Sequence, residues 1–88
     1  MFGLKSQMRR AAVSVPANIA EGSARPGLKN YLNFLGVGMG SLTELGYYLD
    51  LSQRLGYLSR EDHAALATLH QETIRTLQAL ISALQKKL

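Results

Sequence analysis

Apolar residues recur at spacings of three and four along three long segments of this 88-residue chain. Such spacing lines one face of an α-helix, and no stretch alternates strictly over the length of a strand. Ser59 is a suitable N-cap for the third segment, because its hydroxyl can accept a hydrogen bond from the first helical turn. We therefore predict an all-α fold, an up-and-down antiparallel helical bundle. The predicted helices cover about residues 4–20, 28–55 and 60–86 of a single domain spanning residues 1–88.

The first segment carries a proline within its apolar stripe, in the sequence SVPANIAEG at residues 14–22. Proline lacks a backbone N–H and its ring crowds the preceding turn, which costs ~3 kcal/mol in a helix interior. Two structures fit: a new short helix with Pro16 in its first turn, or one helix that continues through a kink. The stripe keeps its register from Val15 to Ile19, which favours the continuous helix. Gly22 is then the predicted C-terminal stop, since glycine adopts the left-handed turn that ends helices.

The net charge of +4 arises entirely in the first third of the chain. Residues 1–30 hold five basic residues and one acidic residue, whereas the two types balance over residues 31–88. A local basic excess is typical of proteins that bind RNA or DNA, and it is also typical of an ordinary solvated helix face. We expect Lys5, Arg9 and Arg10 to share one side of the first helix, away from the apolar stripe. The candidate nucleic-acid-binding residues are Lys5, Arg9, Arg10, Arg25 and Lys29.

The sequence offers no set of residues for catalysis or metal binding. His63 and His70 are seven residues apart, whereas metal-binding helices more often use spacings of three or four, so we predict surface or boundary histidines. Glu21 and Glu44 lack the nucleophile or orienting histidine that an acid/base pair would need. We therefore predict a protein that is not an enzyme, with no catalytic residue, metal ligand or cofactor.

Two features favour a cytoplasmic location. The chain has no cysteine, which suits a reducing compartment, and residues 1–10 lack an apolar core followed by a cleavage site. The longest apolar-rich stretch, residues 31–49, contains too many polar residues for a membrane span of ~20 apolar residues. We therefore expect no membrane partner.

Three stretches carry a resemblance to a known family: QMRRAAVSVPANIAEGSAR at residues 7–25, FLGVGMGSLTEL at 34–45 and LGY at 55–57. They resemble the bacterial four-helix-bundle proteins found in intervening sequences of 23S ribosomal RNA genes. That family is similar to the accessory variability protein of diversity-generating retroelements. The resemblance covers residues 7–57 in motif and residues 58–88 in general pattern.

The resemblance implies a bundle with a kink at the proline and a ring-like homo-oligomer, typically a pentamer, with no known catalytic activity. The retroelement relative binds nucleic acid and a reverse transcriptase through a basic surface, so the resemblance implies the same kinds of partner here. We expect Asn18, Glu21 and Glu44 to hold the corner between the first two helices, with Arg25 paired to either glutamate. The structural motif positions carried over are Ser14, Pro16, Asn18, Glu21, Gly22, Ser41 and Glu44.

The sequence departs from the family pattern at its start, where only residues 1–6 precede the QMRRAA element in place of a helix. We therefore expect three helices, a truncated form of the four-helix bundle, and an exposed apolar face that drives association. Gly36 and Gly38 replace bulkier residues and predict looser packing. Gly36 and Gly40 lie one turn apart and would let another helix approach closely.

These observations predict a non-enzymatic oligomeric bundle that acts as an interaction module, with electrostatic binding to RNA or DNA. The alternative is a structural or protein-adaptor oligomer that binds no nucleic acid. The expected partners are further copies of the chain, RNA or DNA, and a protein such as a reverse transcriptase.

Overall fold

The structure, a computed structural model, describes residues 2–88 and contains three long helices. They are α1 (Phe2–Ala24), α2 (Leu28–Arg54) and α3 (Arg60–Gln85). The Ser41 hydroxyl bonds to Ser14 and the Ser52 hydroxyl bonds to Met8, so α1 and α2 run antiparallel. The described residues form no strand, so the predicted all-α, three-helix, up-and-down fold is confirmed.

One uninterrupted helix, α1, runs through Pro16, as the register of the apolar stripe predicted. Proline cannot donate to the carbonyl of Ala12 one turn earlier. Beside this break, the Asn18 side-chain amide donates to the Ser14 carbonyl at 2.8 Å and to the Ser14 hydroxyl at 3.0 Å. The side chains of residues 14 and 18 therefore reinforce the helix close to the proline.

The predicted stop of α1 at about residue 20 was wrong, because the helix continues to Ala24. Gly22 is buried inside it, and a Cβ at this position would lie 2.7 Å from the Cβ of Phe34. This glycine therefore permits a close approach of α2 and does not end the helix. The left-handed backbone conformation occurs instead at Gly27, in the turn before α2, with φ of 94°.

The second turn, between α2 and α3, spans only residues 55–59. Helix α2 ends at Arg54, and Gly56 then takes a positive φ of 82°. Ser59 caps α3, since its hydroxyl accepts a hydrogen bond from the Asp62 N–H at 3.0 Å, as predicted. Glu61 and Asp62 lie in the first turn, where their negative charges interact favourably with the positive end of the helix dipole.

The apolar core is centred on α2, which packs against both other helices. Leu35 is completely buried, and burial of one such side chain stabilises a fold by about 1.5–3 kcal/mol. Val15, Leu42 and Leu77 complete the buried cluster. Among the described residues α1 makes no close backbone approach to α3, so the two helices flank α2 and leave an open side.

Candidate functional site

The open side of the fold is an apolar groove of about 500 Å³ between α1 and α3. Its floor is formed by α2, and large apolar side chains remain exposed on the α3 wall, where Leu66 is 37% and Leu69 is 59% exposed. Large contiguous apolar patches are rare on the surface of soluble monomers, and where they occur they often mark a site of interaction. The groove is lined by Met8, Arg9, Ala12, Val15, Pro16, Leu42, Leu45, Leu49, Leu66, Leu69, His70 and Thr73.

A second pocket, of about 610 Å³, continues this groove at the end of the molecule where α1 begins. Both share Met8 and Arg9, so they form one trough along α1. From Leu4 to Pro16 the trough extends about 18 Å at the helical rise of 1.5 Å per residue. The end pocket is lined by Leu4, Lys5, Met8, Arg9, Ser52, Tyr57 and Leu58.

The candidate basic residues at the start of α1 do not lie apart from the apolar stripe, and that part of the prediction was wrong. Lys5 and Arg9 border the apolar end pocket, one helical turn apart. Arg10 follows Arg9 and therefore projects about 100° further around the helix. The three residues lie near one end of the molecule, but Lys5 and Arg9 are edge residues of the trough.

The other two candidate cations, Arg25 and Lys29, lie about 24 Å away along the axis of α1, measured from Arg9. Arg25 pairs with Glu21 at 2.8 Å, which settles the predicted choice of partner, and its guanidinium lies 5.4 Å from the centre of the Phe34 ring. Both charged side chains are about half exposed, so the pair contributes at most about 1 kcal/mol to stability. Its main effect is to fix the Arg25 side chain beside the turn.

The end of α3 lies at the same level as this turn. His70 bonds to the carbonyl of Leu42, and an antiparallel register continued for fifteen residues brings Gln85 beside the start of α2. Two exposed lysines follow Gln85 and so join the cations of the first turn. We call this surface the corner end, and it consists of Arg25, Lys29, Lys86 and Lys87.

The linear sequence missed this grouping because 57 residues separate Lys29 from Lys86. The signal was nevertheless present in the predicted topology. In an up-and-down bundle of three helices of similar length, the end of the third helix must return to the start of the second.

Each of the two histidines contacts α2. His63 Nε2 lies 2.7 Å from an Asp50 carboxylate oxygen, and His70 Nε2 lies 2.6 Å from the Leu42 carbonyl oxygen. Because a carbonyl oxygen only accepts, Nε2 of His70 carries the proton in this contact. The His70 ring rests on Gly46, where a Cβ would come within 2.6 Å of the ring. Within residues 2–88, no three metal-binding side chains converge.

Comparison with protein families matches residues 1–79 to the family described as 23S rRNA-intervening sequence protein. The chain belongs to this family. The match includes α1, α2 and most of α3, so the resemblance predicted from the motifs is confirmed. A search of curated proteins returned no match.

The two family motifs of this intervening-sequence protein meet at the α1–α2 contact. The Ser41 hydroxyl donates to the Ser14 hydroxyl at 2.7 Å, and Ser14 also accepts from Asn18. Gly38 lies beside them, with its Cα facing the Val15 carbonyl, and a Cβ there would still have ordinary van der Waals space. The Ser14–Ser41 bond therefore joins α1 to α2 about three turns before the corner, and Asn18 supports Ser14 from within α1.

Glu44 does not hold the corner, contrary to expectation. It is exposed in the middle of α2, about 24 Å along the helix from its start at Leu28. Of the three residues predicted at the corner, Glu21 lies closest to it and bonds only to Arg25. Asn18 acts within the α1–α2 contact described above.

Gly36 and Gly40 lie on an exposed part of α2, and among residues 2–88 nothing beyond the adjoining part of α2 stands within 4 Å of a Cβ at either position. The predicted close crossing therefore does not occur within one chain. None of the helices in the described part of the chain combines the length and apolar character needed to cross a membrane.

Proposed function

We propose that this intervening-sequence protein is an interaction module that associates with further copies of itself through the trough between α1 and α3. The observation that carries the proposal is the line of exposed apolar side chains in that trough, with Leu69 the most exposed of its leucines. Covering apolar surface stabilises an assembly by roughly 25 cal/mol for each Å² removed from water.

The assembly we propose is a pentameric ring, as the family resemblance implies. A closed ring of five uses heterologous contacts, in which one surface of a subunit meets a different surface of the next. The trough of one copy would then receive another face of its neighbour. The proposal includes no catalytic step, metal or cofactor. It places the protein in the cytoplasm, a location consistent with the absence of cysteine.

Light scattering with two matched variants tests self-association. Leu69→Glu places a charge in the trough at a position that is 59% exposed, and Val37→Glu places the same charge on α2 at a position 55% exposed and outside the trough. We expect Leu69→Glu to reduce the particle to the 9.6 kDa of one chain, whereas Val37→Glu leaves the mass of the assembly unchanged. The reverse pattern would contradict the assignment of the trough.

We also propose electrostatic binding to RNA or DNA, which the net charge of +4 and the clusters of exposed cations at both ends of the molecule favour. Such binding reads little sequence and weakens steeply as salt rises. A ring would multiply the local potential by repeating each cluster around the symmetry axis. A protein partner such as a reverse transcriptase, itself bound to RNA, would meet the same surface.

A salt titration separates this proposal from its alternative, a structural or protein-adaptor oligomer. We expect the assembled protein to bind duplex RNA of arbitrary sequence at low salt and to release it as salt is added. An adaptor whose charge is incidental would show no binding at low salt, and that result would remove the nucleic-acid proposal while leaving self-association intact.

A further inference from the structure

We infer that the corner end, not the start of α1, is the surface that contacts the phosphate backbone of a nucleic acid. This inference rests on the proposed nucleic-acid binding and assigns it to particular residues. The sequence predicts one basic patch of Lys5, Arg9 and Arg10, whereas the fold brings four other cations together at the corner end.

All three helices supply cations to the corner end. Arg25 follows α1, Lys29 lies in the first turn of α2, and Lys86 and Lys87 follow α3. All four residues are exposed. Because the cations come from three parallel or antiparallel rods, they are distributed across the width of the molecule, which is 23 Å. The corner end is therefore a surface and not a single point of charge.

Only one side-chain carboxylate, that of Glu21, accompanies these four cations in the described part of the chain. It is already engaged by the Arg25 guanidinium at 2.8 and 3.1 Å. Lys29, Lys86 and Lys87 take part in none of the salt bridges of residues 2–88. Three lysine ammonium groups are thus available to displace counterions from phosphates.

The opposite end has more cations and also more opposing charge. Five basic residues lie there, but the carboxylates of Asp50, Glu61 and Asp62 lie at the same end. Carboxylates close to a basic group repel phosphate and reduce the number of counterions released on binding. The basic residues of that end are Lys5, Arg9, Arg10, Arg54 and Arg60.

Self-association also affects the two ends differently. Lys5 and Arg9 border the trough that the proposed assembly covers, so their charges become part of a protein interface. None of the four corner-end residues lines the trough. The apolar lining of the trough therefore buries none of the corner-end charge.

The test compares two variants that lose the same charge from opposite ends. Lys86→Gln with Lys87→Gln removes two cations from the corner end, and Arg10→Gln with Arg60→Gln removes two exposed cations from the other end, one of them from the start of α1. Binding to fluorescent duplexes of one sequence, made as RNA and as DNA, is measured against salt concentration. Light scattering and circular dichroism establish that both variants keep the mass and helix content of the unmodified protein.

Each phosphate contact contributes about 0.9 to the slope of log Kobs against log salt for duplex DNA. The corner-end variant should therefore lower the slope by about 1.8 for each subunit in contact, and the opposite-end variant should leave the slope unchanged. An unchanged slope in the corner-end variant, or an equal loss in both variants, overturns the inference while nucleic-acid binding stands. If the unmodified protein binds neither duplex at low salt, the proposed nucleic-acid binding fails, and this inference fails with it.

Discussion

At the scale of single residues, the contribution of a hydrogen bond or ion pair to the stability of this protein depends on its burial. Asn18 is half-buried and donates to both oxygens of Ser14, whereas the Glu21–Arg25 pair is open to water. A hydrogen bond protected from solvent contributes about 0.5–1.5 kcal/mol, and an exposed ion pair contributes about 0–1 kcal/mol. The same motif therefore contains one structural and one weakly stabilising contact.

Replacement of these two residues should separate the contacts. We expect Asn18→Ala to lower the free energy of unfolding by about 1–2 kcal/mol, because Ser14 loses a donor at the α1–α2 contact. Glu21→Ala should lower it by less than about 0.5 kcal/mol, since salt and water already screen the pair. Urea denaturation of both variants measures the difference, and a larger loss for Glu21→Ala would show that the corner depends on the ion pair after all.

At the scale of elements, two glycines set the distance between neighbouring helices, because glycine has no side chain to hold the helices apart. Gly22 brings α1 against α2 at Phe34, and Gly46 brings α3 against α2 at His70. Glycine costs a helix about 1 kcal/mol relative to alanine, so these positions oppose helix propensity. The close packing that they permit explains why helices tolerate them.

Two glycine-to-alanine substitutions should have opposite effects. In Gly22→Ala the new methyl group meets the Cβ of Phe34, which is tied to the backbone and cannot move aside. Overpacking costs about 1–3 kcal/mol and outweighs the gain in propensity, so we expect a net loss of about 1 kcal/mol. Gly40→Ala meets no atom and should stabilise the chain by up to about 1 kcal/mol.

Thermal unfolding of Gly22→Ala and Gly40→Ala checks both signs. Light scattering of Gly40→Ala adds a second result, because this glycine lies outside the trough. If Gly40→Ala lowers the mass of the assembly, copies of the chain also meet across the exposed glycines of α2.

Local chemistry was sufficient to predict the type and order of the helices. The apolar spacing predicted three helices, and Ser59 predicted the start of α3 because an N-cap acts within one turn. The function of Gly22 could not be predicted, since a glycine that ends a helix and one that admits a neighbour have the same local sequence. Only the position of Phe34 on α2 decides between them.

At the scale of the whole molecule, the trough follows from how the helices are arranged. Over residues 2–88, α1 and α3 both pack on α2 and not on each other, which gives a flattened body with extents of 44, 23 and 13 Å. Single chains of this size bury only about 60% of their unfolded surface, so an uncovered apolar trough leaves little margin of stability. We therefore propose that this one arrangement of the helices favours association of copies through the trough and groups the cations of the corner end.

The candidate site was harder to predict than the fold. Sequence position assigned Lys5 and Arg9 to a free basic face, but the structure puts them beside Leu4 and Met8 at the edge of the trough. Lys86 and Lys87 were not predicted as nucleic-acid-binding residues, because the cations beside them come from another part of the chain. Helical periodicity describes which residues share a face of one helix, whereas a surface depends on which helix ends meet.

The central claim is that a single chain leaves its trough uncovered and that copies must associate to cover it. Sedimentation velocity of the unmodified protein at micromolar concentration tests this most directly. We predict one dominant particle with a mass several times the 9.6 kDa of the chain, and five times for the proposed ring. A cooperatively folded particle of 9.6 kDa that persists as the concentration rises would contradict the account.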